Sequence, residues 1–174
     1  MNVVAHSPDS TSVAYSSAAK YLLFRLGEAQ FGIDVARVRE IVATRPLTVV
    51  PNSPPFLCGV INQRGRVVPV IDLRRRLEMA AREFDARTCL IVVESGPDAD
   101  NLRSALAVDA VSEVIEIAPD RIKPAPTIRG ERPARHLIGL ARVQDKVTVL
   151  LDAEELGCLK KGDCRGALDE HRFD

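Results

Sequence analysis

Apolar residues occur along the chain in short runs, and turn-forming residues separate these runs. Residues 21–33 contain two such runs on either side of Gly27-Glu28, and residues 59–71 contain two more around Arg64-Gly65. Short apolar runs joined by a glycine-containing turn predict β-hairpins. The pattern therefore predicts a chain built mainly of short β-strands.

Two short helices are predicted between the strands. Asp34 is a typical N-cap residue, and it is predicted to begin a helix that ends before Pro46. The apolar positions with helical spacing behind Asp34 are Val35, Val38 and either Ile41 or Val42. Asp72 is predicted to cap a second helix over 73–79, with Leu73 and Leu77 facing inward.

The second half of the chain repeats the first. Residues 59–72 align without gaps to residues 139–152. Two shorter matches precede this one: 38–41 with 114–117, and Ile33-Asp34 with Val108-Asp109. Only two copies are present, and a solenoid needs at least about three stacked units. The repeat thus favours two related small β-lobes, each closed on itself as a barrel.

These observations divide the chain into three parts. Residues 1–19 are rich in Ser and Ala without periodicity, and we expect a flexible arm there. The folded domain is predicted over 20–157, with lobes at about 20–85 and 86–157. Residues 158–174 are predicted to form a polar tail.

Composition and charge narrow the function. The chain has 174 residues and a formal net charge of zero, with 46% hydrophobic residues, 4% aromatic residues and no Trp. Its 20 Val and 10 Ile favour sheet over helix. Zero net charge disfavours a nucleic-acid or anionic-membrane partner. No apolar run approaches the roughly 20 residues of a membrane span and no signal peptide is evident, so we expect a soluble cytoplasmic protein.

The residues that most often carry chemistry are few. Cys58 and Cys89 lie in apolar runs, where cysteine usually acts as a small hydrophobe. Cys158, Cys164 and His171 supply only three zinc ligands at a spacing that matches no common zinc site. His136 is the one imidazole inside the predicted domain, and no catalytic motif is present. We therefore predict no enzyme activity, no metal and no cofactor.

Four segments together resemble one family, the CheW-like adaptor domain of bacterial chemosensory arrays. They are YLLFRLGEAQFGIDVARVREIV (21–42), PFLCGVINQRGRVVPVIDLRRRL (55–77), ALAVDAVSEVIEI (105–117) and LIGLARVQDKVTVLLDAEEL (137–156). The stretch G-V-I-N-x-R-G-x-V-x-P-V-x-D-L is the most specific part. The resemblance implies a mainly β fold with short helices, in which two small five-stranded SH3/OB-like barrels lie side by side around a hydrophobic groove.

The resemblance also implies a function without catalysis. Members of the family bridge the regulatory domain of the histidine kinase CheA and the cytoplasmic tip of methyl-accepting chemoreceptors. No kinase, receiver or transmembrane segment accompanies the domain, so we expect a stand-alone coupling protein recruited to receptor arrays, without membrane insertion. The coupling positions of the family fall on Val38, Glu40, Gly59 and Arg64. The full predicted partner-binding set is Val35, Val38, Glu40, Ile41, Gly59, Asn62, Arg64 and Gly65.

Each of these residues also has a purely structural interpretation. Arg64 alone would be a solvated turn residue, Val38 a core residue and Glu40 a solvated charge. The functional interpretation requires Val38 and Glu40 to lie at the rim of the groove, which exposes Val35, Val38 or Ile41 to an amphipathic receptor helix. Gln63 stands where the family more often has Leu, which leaves the turn intact. The loop 96–101 is longer and more acidic than in a minimal member of the family.

A second hypothesis is a small β-barrel that binds single-stranded nucleic acid through Arg64, Arg66 and Arg74–Arg76. That binding mode needs aromatic stacking platforms beside a positive groove, and aromatic residues are scarce here. We therefore expect Arg74–Arg76 to form a solvated face of the second helix.

Overall fold

The computed structural model describes residues 18–95, 102–127, 130 and 134–159. Most of the predicted arm and tail lie outside these residues. So do the loop 96–101, Cys164 and His171.

Short β-strands dominate the part of the chain that the structure describes. They are β1 (Ala19–Leu26), β2 (Ala29–Asp34), β3 (Val38–Ala43), β4 (Leu57–Gln63), β5 (Arg66–Asp72), β6 (Cys89–Ser95), β7 (Leu102–Val108), β8 (Ala110–Ile117), β9 (Ile122–Lys123), β10 (Leu137–Val143) and β11 (Lys146–Leu151). The helical elements are α1 (Leu73–Arg76), α2 (Ala153–Gly157) and the 3-10 turns Val35–Arg37 and Pro119–Arg121.

The strands form two sheets, which confirms a mainly β chain with two β lobes. The six-stranded sheet has the order β8-β1-β2-β11-β10-β9, and the five-stranded sheet has the order β3-β6-β7-β5-β4. The expectation of five strands in each lobe therefore holds for one sheet and is exceeded by one short strand in the other. Among the described residues no strand pairing joins β3 to β4 or β8 to β9, so neither sheet is a closed barrel by strand pairing.

The boundary between the sheets does not follow the predicted lobes at 20–85 and 86–157. The six-stranded sheet takes the hairpin β1–β2 from the first half of the chain and β8–β11 from the second. The five-stranded sheet takes β3–β5 from the first half and the hairpin β6–β7 from the second. The two repeats thus exchange their first hairpins.

Parallel strand pairing attaches each exchanged hairpin to its sheet. Strand β11 pairs in parallel with β2, with Leu150 opposite Gly32, and β5 pairs in parallel with β7, with Val70 opposite Ala105. Parallel strands need a long connection, so they join segments that are distant in sequence. A sequence repeat shows which strands are equivalent, but it does not show which copy each hairpin joins.

The internal repeat is correct for the second hairpin of each half and shifted for the earlier matches. Gly59 lies opposite Val70, and Gly139 lies opposite Leu150, each after a β-bulge. The registers of β3 and β8, however, make residues 111–115 equivalent to 38–42, three residues earlier than 114–117.

The first-hairpin match is also displaced. Ile33 pairs with Leu151, and Leu106 pairs with Ile71. Because Ile71 and Leu151 are equivalent in the repeat, Leu106 rather than Val108 corresponds to Ile33. The displacement is small, since a short apolar match can slide along an apolar strand.

The buried apolar residues of the described chain form three clusters. One cluster is drawn from the five-stranded sheet and includes Ile61 and Leu90, while another is drawn from the six-stranded sheet and includes Leu23. The largest cluster takes residues from both sheets, among them Phe24 and Ile91. The largest core therefore lies between the two sheets and joins them.

The first predicted helix is wrong beyond its first turn. Asp34 does act as a cap, because its side chain accepts a hydrogen bond from the backbone N–H of Ala36 at 2.8 Å. Only Val35–Arg37 are helical, and Val38–Ala43 form β3. The apolar spacing fits a helix, but β-branched residues also suit a strand, and pairing with β6 decides between the two. The second predicted helix is shorter than 73–79, and Leu73 is buried as expected.

One glycine in each sheet, at equivalent positions, lets another segment of the chain pass close to a strand. Thr48 forms an isolated bridge with Val60, and Lys123 pairs with Leu140 in the same way. A Cβ atom at Gly59 would lie 2.5 Å from the carbonyl oxygen of Thr48. A Cβ atom at Gly139 would lie 2.5 Å from the carbonyl oxygen of Lys123. Strands β3 and β4 are the two edge strands of the five-stranded sheet. We call the region between them, where Thr48 approaches Gly59, the seam.

The expectation that Arg74–Arg76 form a solvated face is wrong for two of the three. Arg74 has 13% of its side chain exposed and pairs with Asp109, which also accepts a hydrogen bond from the backbone N–H of Gly27 at 2.6 Å. Arg76 lies over the ring of Phe56, at 4.5 Å from its centroid. Through these contacts, Arg74 and Arg76 connect α1 to the rest of the fold.

Gly59→Ala should lower the free energy of unfolding by about 2 kcal/mol or more, because the new methyl group collides with the Thr48 backbone and the φ of Gly59 is +150°. Gly65→Ala is the matched control. It has a φ of +80° and no atom within 4 Å of the new methyl group, so we expect a cost of about 1–2 kcal/mol from backbone strain alone. Urea denaturation measures both, and equal losses would contradict the close approach at Gly59.

Asp109→Asn should lower the free energy of unfolding by about 1–3 kcal/mol at pH 7. Burial alone would raise the pKa of Asp109, but the hydrogen bonds from Arg74 and Gly27 outweigh it and lower the pKa overall. The stabilisation is therefore complete above the unfolded-state pKa of about 4 and is lost as the pH falls through the folded-state pKa.

Denaturant titrations at pH 7 and at about pH 3 should show the difference between the wild type and Asp109→Asn shrinking at the lower pH. Asp145→Asn is the control, because 94% of that side chain is exposed and its loss should change stability little. A difference that grows on acidification would contradict this role of Asp109.

Candidate functional site

The β4–β5 turn presents Arg64 at one end of the five-stranded sheet. Arg64 has a φ of 53° and Gly65 a φ of 80°, as a two-residue type I′ turn requires. The Asn62 side chain accepts a hydrogen bond from the backbone N–H of Gly65 at 3.0 Å. Asn62 and Gly65 thus build the turn, and Arg64 projects from it with 76% of its side chain exposed. We call this the hairpin end of the five-stranded sheet.

Glu40 reaches the hairpin end from β3. Its Oε2 lies 3.3 Å from Nε of Arg64, and its Oε1 accepts a hydrogen bond from Nε2 of Gln63 at 2.6 Å. The Glu40 side chain is 27% exposed, whereas Gln63 is only 5% exposed. The carboxylate is therefore held by a buried amide on one oxygen and by an exposed guanidinium on the other.

The predicted apolar residues divide between core and surface. Val35 and Val38 are partly buried and pack against the core between the sheets. Ile41 is 44% exposed, although it lies opposite the buried Ile91. Ile41 therefore lies on the same face of the sheet as the core between the sheets, at its solvent-exposed border.

Gly59 is buried at the seam and lies away from the turn. Glycine is required at this position because the Thr48 backbone leaves no room for a side chain. The structure thus brings Glu40, Asn62, Arg64 and Gly65 together at the hairpin end and leaves Gly59 as a supporting position.

A second ion pair at the hairpin end was not predicted from the sequence. Arg39 Nη2 lies 2.5 Å from Oε2 of Glu94, and the hydrogen bond from Arg39 lowers the pKa of Glu94 and raises that of Arg39. Arg103 lies opposite Glu94 in the β6–β7 register. Sequence alternation in 38–43 could have placed Arg39 on a strand, but nothing in the sequence links it to a residue 55 positions away.

Arginines outnumber carboxylates at the hairpin end within the described residues. Arg39, Arg64, Arg66 and Arg103 lie there by register or contact, with Glu40 and Glu94 between them. Exposed guanidinium groups can donate paired hydrogen bonds to carboxylates or backbone carbonyls of another molecule. The arrangement is suited to protein recognition.

The equivalent end of the six-stranded sheet has the same backbone but different side chains. Gln144 and Asp145 have φ values of 49° and 63° in a turn of the same kind. Gln144 Nε2 donates a hydrogen bond to Glu113 at 3.2 Å, where the other sheet has an ion pair between Arg64 and Glu40. Gln63 has Val143 as its counterpart.

The described cysteines and histidine do not form a site. Cys58 and Cys89 pack against apolar cores, which confirms their prediction as small hydrophobes. Burial, with the nearby Asp72 carboxylate, raises the pKa of the Cys58 thiol to about 12. Burial lowers the pKa of His136. Across the described ranges, no three potential ligand residues lie close enough to hold a metal ion.

In the described part of the chain, no helix is long and apolar enough to span a bilayer.

Comparison with known proteins agrees with the geometry. Chemotaxis protein CheW of Klebsiella aerogenes is 34% identical over 137 residues, which cover 79% of this chain and 80% of that protein. Protein FrzA of Myxococcus xanthus is 30% identical over 137 residues, covering 78% of this chain and 82% of that protein.

A solved structure shares the fold as well. The crystal structure of the scaffolding protein TtCheW from Thermoanaerobacter tengcongensis superposes with a TM-score of 0.70 at 32% identity, covering 80% of this chain and 92% of that one. The model of the CheW-like domain matches residues 20–157. With this match and these relatives, the chain belongs to the CheW-like domain family.

Proposed function

We propose that this chain is a non-enzymatic adaptor that couples methyl-accepting chemoreceptors to the histidine kinase CheA in a bacterial chemosensory array. It would work in the cytoplasm, recruited to the tips of membrane-bound receptors. The observation that carries the proposal is the exposed Arg64, held against Glu40 at positions where the resemblance puts the coupling residues. Its similarity to a chemotaxis protein and to a scaffolding protein supports it.

The mechanism would rest on several weak contacts made at once. Arg64 and Glu40 offer a polar contact, and Ile41 offers an apolar one on the face that joins the sheets. Contacts with receptor and kinase raise the effective concentration of each for the other, so modest affinities can build an array. A receptor signal would then shift the kinase between its conformations through the shared contacts.

The nucleic-acid hypothesis loses part of its basis. Arg74 is paired with Asp109, and Arg76 stacks on Phe56, so these two guanidinium groups are engaged within the fold. Arg64 and Arg66 remain exposed. A labelled single-stranded oligonucleotide that bound at low salt would revive this alternative.

The coupling function is tested by reconstitution with the cognate kinase and receptor fragments. Adding this protein should raise kinase autophosphorylation when receptor is present, and an unchanged rate at saturating protein would refute the proposal.

Arg64→Ala should weaken binding to the kinase or to the receptor fragment, at a cost of about 2–4 kcal/mol if Arg64 is central to an interface. Its thermal midpoint should hardly change, because the ion pair with Glu40 is largely exposed. Arg142→Ala removes a guanidinium of similar exposure, 77%, from the equivalent hairpin of the other sheet. An equal loss of binding in both variants, or a large loss of stability in Arg64→Ala, would contradict the role assigned to Arg64.

A further inference from the structure

The Gln63 side chain makes a contact that joins the two edges of the five-stranded sheet. It extends from β4, is 5% exposed, and donates a hydrogen bond from Nε2 to Oε1 of Glu40 on β3 at 2.6 Å. The two strands are not paired through their backbones. The amide therefore holds the Glu40 carboxylate across the seam.

This contact leaves the second carboxylate oxygen facing the turn. Oε2 of Glu40 lies 3.3 Å from Nε of Arg64, whose side chain is 76% exposed. A long exposed arginine otherwise samples many rotamers and loses that freedom when it binds a partner. A carboxylate fixed by Gln63 restricts Arg64 before binding.

The contact has a cost within the fold. Oε1 of Gln63 is buried without a hydrogen-bond partner among the described residues. The equivalent end of the six-stranded sheet has Val143, which is 9% exposed, so an apolar side chain fills this position there. At that end Gln144 meets Glu113 without a buried amide behind the carboxylate. A buried polar atom left unpaired is destabilising, and such costs concentrate at functional sites.

We propose that Gln63 is a positioning residue, which fixes the Glu40 carboxylate so that Arg64 is held in one orientation for the kinase. The inference rests on the proposed function, because it takes the kinase to be the partner that Arg64 contacts.

Gln63→Leu tests the proposal through opposite effects on binding and stability. Leu should fill the buried site without an unpaired oxygen, and Glu40 can be solvated because it is 27% exposed. The thermal midpoint should therefore stay the same or rise, while the Kd for the purified kinase should increase about tenfold. A lower midpoint, or an unchanged Kd, would overturn the proposal.

Thr148→Val is the matched control. Thr148 is fully buried in the six-stranded sheet, and its Oγ1 also has no hydrogen-bond partner among the described residues. Its replacement should likewise keep or raise the midpoint but leave the Kd unchanged. If Thr148→Val weakened binding as much as Gln63→Leu, the effect would belong to buried polar positions of both sheets in general and the positioning role would be wrong.

A double-mutant cycle tests whether Gln63 acts through Arg64. In the Arg64→Ala background, Gln63→Leu should have little further effect on the Kd, because the group that it positions is gone. Full additivity of the two changes would show that Gln63 acts on binding by another route.

A measurement without any partner separates this proposal from the proposed function. In the NMR spectrum of the free protein, the Nε–H signal of Arg64 should exchange with water several-fold faster in Gln63→Leu than in the wild type. An unchanged exchange rate would overturn the positioning role whatever the partner. Failure of the wild type to bind the kinase, with the exchange difference present, would instead refute the proposed function alone.

Discussion

The two parallel strand pairs, β2 with β11 and β5 with β7, are the constraint on which the rest of the structure depends. Each pair connects a hairpin from one repeat to a hairpin from the other. Neither sheet is complete without strands from both halves of the chain, and the core between the sheets also takes residues from both. Folding therefore requires contacts between distant segments, and we expect the two sheets to fold together.

The internal repeat gives the molecule two equivalent hairpin ends with different chemistry. The backbone is repeated closely: the turns share positive φ values, the β-bulges recur, and Gly59 and Gly139 allow the same close approach. The side chains differ at the turns, where Arg64 corresponds to Gln144. An adaptor needs surfaces that partners can distinguish. A duplicated fold supplies two surfaces of one shape, and a few substitutions make them unlike.

Local sequence signals predicted the fold well where local geometry decides it. The turn at Arg64-Gly65 and the caps at Asp34 and Asp72 follow from residue type, because positive φ and capping each favour particular side chains. Signals failed where distant contacts decide. Val38–Ala43 form a strand because β6 pairs with them, whatever the helical spacing of their apolar residues.

The candidate site shows the same division. Four residues of the predicted set, Glu40, Asn62, Arg64 and Gly65, lie near one another, because three of them belong to a single turn and Glu40 contacts it from β3. Their role in binding a partner stays a prediction. The pair of Arg39 and Glu94 could not be predicted, since its residues lie on strands whose pairing depends on the exchanged hairpin. Arg74 was predicted as solvated for a similar reason, because its partner Asp109 follows β7.

The ion pairs at the hairpin end indicate a surface whose side chains are ordered before a partner binds. Among the described residues, the two carboxylates at this end, Glu40 and Glu94, are in contact with arginines, and the Glu40 carboxylate is also hydrogen-bonded to a buried amide. Surface ion pairs of this kind add little to stability, so the fold would lose little without them. They do restrict long side chains, and restriction before binding lowers the entropy lost on binding. For a protein whose proposed work is to hold several weak contacts at once, this restriction is a physical reason to keep a costly buried glutamine at the seam.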